Sequence, residues 1–243
     1  VVHGEGVGSE VMEAALDGLD AIMHLENLTI DLRFGPEHGP RPAFSSELAG
    51  FFESVFAAGG PVLCGPAGGR FVYDLRQHFD LNYKLVPLRP FIRCGDIGPL
   101  RAERTAGVDV LIVRENVGGL YFGAWGRASV RGMDHAYQTF GYTRAQIERV
   151  VREAAARAAK RRKGLCAVVK TDGVPAVSRL WREVLERETR GMGLAMNVLE
   201  VDNAAYQLIN NPRQFDVIFA PNMFGDVLGD VGALLLGARG MSF

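Results

Sequence analysis

Asp226 and Asp230 stand four residues apart in Q-F-D-V-I-F-A-P-N-M-F-G-D-V-L-G-D, the stretch from Gln214 to Asp230. In a helix this spacing stacks both carboxylates on one face, where an exposed like-charge pair costs roughly 0.2–0.5 kcal/mol. The neighbours Val227, Leu228, Val231, Leu234, Leu235 and Leu236 predict that part of the helix is buried, and a cation would cancel the repulsion. Carboxylate oxygens without Cys or His nearby favour a hard ion, Mg²⁺ or Mn²⁺, over zinc. Spacing alone leaves a second reading open: Asp226 caps the helix N-terminus, where its charge suits the dipole, and Asp230 faces water.

Other residues are equally ambiguous alone. Arg76 and Asp80, four apart, form a helical ion pair, or Arg76 binds a carboxylate through its planar fork. Tyr121, in R-E-N-V-G-G-L-Y-F-G, reads as an aromatic on a hairpin strand, packed by its ring and hydrogen-bonded at its tip. Lys170 ends the apolar run C-A-V-V-K-T-D-G, where a lysine is ordinarily solvated. Gly4, Gly6 and Gly8 are spaced G-x-G-x-G, not G-x-G-x-x-G, and read as a structural turn between strand and helix; Asp31 could imitate the ribose-binding acid of that motif, although it lies somewhat too far on.

The elements that must position these groups alternate between strand and helix. Val1–Val2 reads as the tail of a strand, followed by an amphipathic helix with apolar residues at Val11, Met12, Ala15, Leu19 and Ile22. A strand L-T-I-D, a Pro- and Gly-rich loop from Phe34 to Pro42, a helix from about Ser45 to Ala57 and a strand Pro61–Cys64 follow. A flexible loop spans Gly65 to Arg70, and Val108–Asn116 is a buried strand ending in charge. Thr143 and Gln146 form a capping box for a helix running to Lys163, whose basic run Lys160–Lys163 suits the negative end of the dipole. Val217–Ala220 has the length and β-branching of a buried strand, broken by Pro221 and Asn222.

With 48% hydrophobic and 23% charged residues the composition is that of an ordinary globular protein, and a net charge of -1 offers nothing global to nucleic acid or anionic lipid. Cys64, Cys94 and Cys166 are far apart, which argues against a disulfide framework or a zinc knuckle and fits a reducing, cytoplasmic compartment. The five histidines are scattered too, and no apolar run reaches the eighteen or so residues of a membrane span.

The run Val201–Asp230, V-D-N-A-A-Y-Q-L-I-N-N-P-R-Q-F-D-V-I-F-A-P-N-M-F-G-D-V-L-G-D, resembles the metal-binding signature of the isopropylmalate and isocitrate dehydrogenases, metal-dependent β-decarboxylating enzymes. R-E-N-V-G-G-L-Y-F-G resembles the family's R-E-x-x-G-G-x-Y-F-G, and the segment from Leu75 to Pro90 its L-R-x-x-x-D-L-x-x-x-x-R-P. The resemblance implies an α/β fold of two domains, each a β-sheet flanked by helices: residues 1–82 plus 237–243 as the large domain, and residues 83–236 as a small domain carrying a dimer interface. It implies Mg²⁺ or Mn²⁺ on Asp226 and Asp230, with Asp202 reaching the ion from the partner subunit of a homodimer. It gives Lys170 and Tyr121 catalytic roles, Arg76 and Arg114 carboxylate binding, Arg70 and Tyr73 the substituent on C3 of the substrate, and Asn222 contact with NAD or NADP.

The departures from the family bear on specificity. Its second substrate arginine falls on Val86, with Lys84 and Arg89 as nearby cations, and Asp172 stands where Asn is common. The Lys170-to-Trp181 spacing is one residue longer than in typical isopropylmalate dehydrogenases and nearer to tartrate dehydrogenase-like members. The resemblance stops before the H-G-S-A-P-D-I-like loop that binds adenosine in relatives, so the large domain is expected to be incomplete at its C-terminal end and the choice between NAD and NADP stays open. The implied activity is oxidative decarboxylation of a 3-substituted malate. Two alternatives stand beside it: a non-catalytic regulatory or structural paralogue, and a magnesium-dependent hydrolase using the aspartates alone.

Overall fold

The computed structural model describes residues 1–36, 44–91 and 98–241. They belong to two compact units, Val1–Asp80 and Leu81–Phe243. The expected loop lies outside the described residues from position 37 on, as does Cys94. No helix among the described residues is long and apolar enough to cross a membrane.

The described residues of the first unit include the helices α1 (Gly8–Glu26), α2 (Ser46–Ala57) and α3 (Phe71–His78). Ser45 caps α2 by accepting the Leu48 N–H at 3.2 Å. The strands expected at Val1–Val2 and Pro61–Cys64 reduce to one parallel bridge, Val2 to Cys64, and L-T-I-D is irregular. Val2, Leu48, Phe52, Phe71 and Leu75 form a small core. The expected amphipathic α1 buries only Gly8 and Met12, leaving Val11 and Ile22 exposed.

The second unit is a three-layer α/β sandwich. Its sheet comprises β1 (Tyr83–Leu88), β2 (Val110–Glu115), β5 (Gly164–Val169), β6 (Ala195–Glu200) and β7 (Val217–Ala220), in the order β1-β2-β7-β5-β6. Only β1 is antiparallel; the other four run together, so their C-terminal ends share one edge. A short helix α4 (Ala102–Thr105) precedes β2, and an exposed hairpin, β3 (Trp125–Val130) with β4 (Met133–Gln138), stands apart from the main sheet. Parallel strands covered on both faces need apolar side chains at every position, and V-I-F-A in β7 is wholly buried. Val217 and Phe219 pack towards α5 (Arg144–Ala159) and α6 (Pro175–Glu188); Ile218 and Ala220 pack towards α7 (Val201–Asn210) and α8 (Asn222–Leu236).

The capping box at Thr143 and Gln146 is present, but α5 ends at Ala159, short of the basic run. Those residues do more than face a dipole. Arg161 binds Asp216 and Asp109, each at 2.8 Å, and Arg162 donates to the Phe215 carbonyl, tying the end of α5 to the strands beneath.

Helix α8 lies close on β1 and β2 through a glycine face at Gly225, Gly229 and Gly232. A Cβ on Gly225 would sit 2.8 Å from the Arg114 Cβ, whereas one on Gly229 would meet Val86 at an ordinary 3.8 Å. Overpacking costs about 1–3 kcal/mol and a helical Gly-to-Ala change returns up to about 1 kcal/mol. Urea denaturation is therefore expected to show Gly225→Ala destabilised and Gly229→Ala unchanged or slightly stabilised; the reverse order would refute this packing.

Candidate active site

The chemistry-bearing residues of the second unit gather at the C-terminal edge of the parallel strands, where α/β sheets ordinarily bind ligands. Two clusters form there. The first starts from alternation at the end of β2. Side chains of successive strand residues face opposite ways, so Arg114 goes to the α8 side and Glu115 to the α5 side, both buried at 4% and 0% exposure.

A buried guanidinium is tolerable only when paired. Arg114 donates from Nε and Nη2 to the Asn222 Oδ1, at 2.9 and 2.7 Å, and from Nη1 to Asp226. The second oxygen of Asp226 accepts the Tyr121 hydroxyl at 2.8 Å. Tyr121 lies in a 3-10 turn, Leu120–Phe122, ahead of the hairpin and not on its strand. The Arg114 guanidinium stands 5.9 Å from its ring centroid, within cation–π range. Asn222, the residue the resemblance assigns to the cofactor, is fully buried; it accepts from Arg114 and donates to the Gly118 carbonyl at 3.0 Å.

Glu115 holds the turn that carries Tyr121. Its carboxylate accepts the N–H groups of Val117 at 2.9 Å and Gly118 at 3.0 Å, and hydrogen-bonds Tyr142. Tyr142 in turn accepts the Asn222 backbone N–H at 2.8 Å, satisfying one of the orphan donors at the start of α8. Burial pushes the Glu115 carboxyl up despite these donors, and burial followed by the charge of Glu115 pushes the Tyr142 hydroxyl up. Neither role was read from the sequence. The available signal was a charged pair ending an apolar strand, R-E, which forces one charge into each layer.

Asp226 lies in the second turn of α8 and not at its cap, since Pro221 occupies that position and the first turn carries no acid. Asp230 is half exposed and paired with Arg239 at 2.8 Å. The two carboxylates, free of Cys and His, fit a hard divalent ion as far as they go. Among the described residues of one chain, however, no three His, Cys, Asp or Glu side chains converge as a metal site.

The second cluster lies on the ends of β5 and β6. The Lys170 ammonium donates to Asp202 at 2.8 Å, and Thr171 bonds Glu200 through its N–H at 2.9 Å and its hydroxyl. The hydrogen bond to Asp202 raises the Lys170 pKa and lowers that of Asp202, the opposite of the lowering expected for a general base. Within one chain Asp202 serves Lys170, and β6 stands three strands from β2, roughly 14 Å at ~4.8 Å per strand.

Arg70, Tyr73 and Arg76 belong to the first unit, on or just before α3. Arg70 pairs with Asp74 at 3.7 Å, and the guanidiniums of Arg70 and Arg76 stand 5.3 and 5.9 Å from the Tyr73 ring centroid. Asp80 lies beyond the end of α3, at φ 48°, so it and Arg76 are not neighbours on one helix. Val86 is buried at 2% exposure beneath α8.

A family model described as isocitrate/isopropylmalate dehydrogenase matches residues 57–242, which include every site residue named above. The chain belongs to this family. The 3-isopropylmalate dehydrogenase of Bacillus subtilis is 36% identical over 99% of this chain and 70% of its own length. That of Carboxydothermus hydrogenoformans is also 36% identical, over 99% of this chain and 69% of its own. The crystal structure of isocitrate dehydrogenase from Methylococcus capsulatus has a TM-score of 0.76 at 25% identity, covering 98% of this chain and 70% of that one. The chain thus spans about 70% of the length of these dehydrogenases.

In this family member the buried Glu115 should be felt in stability. Glu115→Ala orphans one buried and one partly buried amide, so urea denaturation is expected to show a loss of about 2–4 kcal/mol. Because folding raises its pKa, the Glu115 contribution is full below the ordinary carboxylate range and is lost as pH rises through the folded value. Stability measured against Glu115→Gln should therefore move in favour of the Gln variant with rising pH; no pH dependence would refute the burial argument.

Proposed function

We propose that this protein catalyses oxidative decarboxylation of a 3-substituted malate, with hydride transfer to NAD or NADP and dependence on Mg²⁺ or Mn²⁺. The observation that carries the reading is the Arg114–Asp226–Tyr121 cluster, which sets a carboxylate-binding cation, a metal-type carboxylate and a proton donor within hydrogen-bonding reach of one another. Asp226 and Asp230 would hold the ion together with Asp202 of the partner subunit. Because Lys170 and Asp202 hold each other, the copy that lends Asp202 lends Lys170 with it. A homodimer also suits the β3–β4 hairpin, whose exposed Trp125, Met133 and Tyr137 call for a covering surface.

When bound, the ion supplies Lewis-acid polarisation of the hydroxyl and carboxylate, and the nicotinamide accepts the hydride. Arg114 binds a substrate carboxylate; the resemblance gives Arg76 a like part. With Asp202 turned to the ion and no longer holding the Lys170 ammonium, Lys170 takes the hydroxyl proton as hydride leaves C2, which becomes a ketone. The bond from C3 to its carboxylate then breaks, CO₂ departs, and its electron pair stays on C3. Tyr121 delivers its hydroxyl proton to that carbon. Arg70 suggests an anionic or polar group on C3 in place of isopropyl, and a substrate panel in which isopropylmalate is turned over best would contradict that.

The competing reading, a non-catalytic paralogue, is favoured by Val86, which puts a buried apolar side chain where the family has an arginine. One assay separates the two: NAD(P)H formation from 3-substituted malates, with Mn²⁺ and with chelator. Turnover that requires Mn²⁺ and falls at least about a hundredfold in Lys170→Met is expected for the enzyme. Lys170→Met with undiminished turnover, or no turnover in the wild type, would overturn it.

A further inference from the structure

The burial of Val86 leaves open what takes the place of the missing cation, and the pairing of β1 with β2 answers it. Lys84 stands directly opposite Arg114 in the antiparallel register, and Val86 opposite Ile112. Directly paired residues share a face, with Cβ atoms about 4.5–5.5 Å apart. That face is the one covered by α7 and α8, since Val86, Leu88, Val110 and Ile112 all pack there. Lys84 is partly buried, so its long side chain leaves the sheet on the same side as Arg114 and beside it.

Arg89 is excluded by its place: it lies beyond the end of β1 and follows Leu88, whose partner is Val110 at the far end of β2, roughly 17 Å along the strand from Lys84 at ~3.3 Å per residue.

A second observation comes from the next rung. The Asn116 N–H donates to the Asn82 carbonyl at 3.1 Å, continuing the ladder beyond Lys84 and Arg114. Both asparagines carry a buried side-chain oxygen that accepts no hydrogen bond among the described residues. Buried acceptors without donors are rare in native structures and call for an explanation. Two cations at this polar end of the ladder suit an anionic ligand.

We propose that Lys84, paired across the sheet with Arg114, is a substrate-carboxylate-binding residue in this chain, standing in for the arginine that Val86 displaces. This rests on the dehydrogenase reading above and adds to it the residue that holds one of the two substrate carboxylates. The lysine offers a point charge where an arginine would offer a fork, so it selects for charge more than for carboxylate orientation.

The test is calorimetric binding of malate, and of lactate as its single-carboxylate counterpart, in the presence of Mn²⁺, with the wild type, Lys84→Gln, Lys84→Arg and Arg89→Gln. Lys84→Gln is expected to weaken malate binding about ten- to a hundredfold, the worth of a charged hydrogen bond, while lactate binding stays within about twofold. Lys84→Arg should recover malate binding, and Arg89→Gln should match the wild type. Malate bound equally by the wild type and Lys84→Gln overturns the Lys84 assignment and leaves the dehydrogenase reading standing. A wild type that binds neither acid overturns the dehydrogenase reading and the assignment with it.

Discussion

A guanidinium buried at the end of a β-strand constrains everything around it. Arg114 has no water to solvate it, so the fold must provide acceptors in place. Asn222 and Asp226 do this from the first two turns of α8, and the helix can come near enough only because Gly225 has no side chain to meet the arginine stem. The start of α8 is thereby fixed against the end of β2. Asp226 keeps one oxygen for Tyr121, so the same contact that neutralises the arginine also aims the phenol.

The alternation of the strand then assigns opposite tasks to neighbouring residues. Arg114 gathers Asn222 and Asp226, while Glu115, facing the other layer, ties down the turn after β2 through two backbone N–H groups and Tyr142. Tyr142 closes the circuit by accepting the first N–H of α8. Two layers of the sandwich are in this way joined across one strand end. The Lys170–Asp202 pair stands apart, just past the end of β5 and at the start of α7, and both side chains reach solvent.

Where the sequence alone carried far, a local rule and the tertiary environment agreed. The V-I-F-A strand, the four-residue spacing of the aspartates and the capping box at Thr143 each obey a period or a short-range hydrogen bond, and each stands in the structure. What could not be read depends on long-range partners. Nothing local to Asn222 says that Arg114, a hundred residues earlier in the chain, will bury it. The basic run after α5 satisfied a dipole argument, yet Arg161 and Arg162 spend their charge on Asp109, Asp216 and the Phe215 carbonyl. The strands expected in the first unit lack the neighbouring strands that would complete a sheet among the described residues, and they shrink to the Val2–Cys64 bridge.

The claim on which the functional account turns is that Asp226, held by Arg114 and Tyr121, helps form a divalent-ion site completed by a hydroxy acid. Titrating Mn²⁺ into the protein with and without malate, in the wild type and in Asp226→Asn, tests it directly. The account predicts that malate tightens Mn²⁺ binding in the wild type and that Asp226→Asn abolishes the tightening. Equal Mn²⁺ affinity in the two proteins, or binding indifferent to malate, would contradict it.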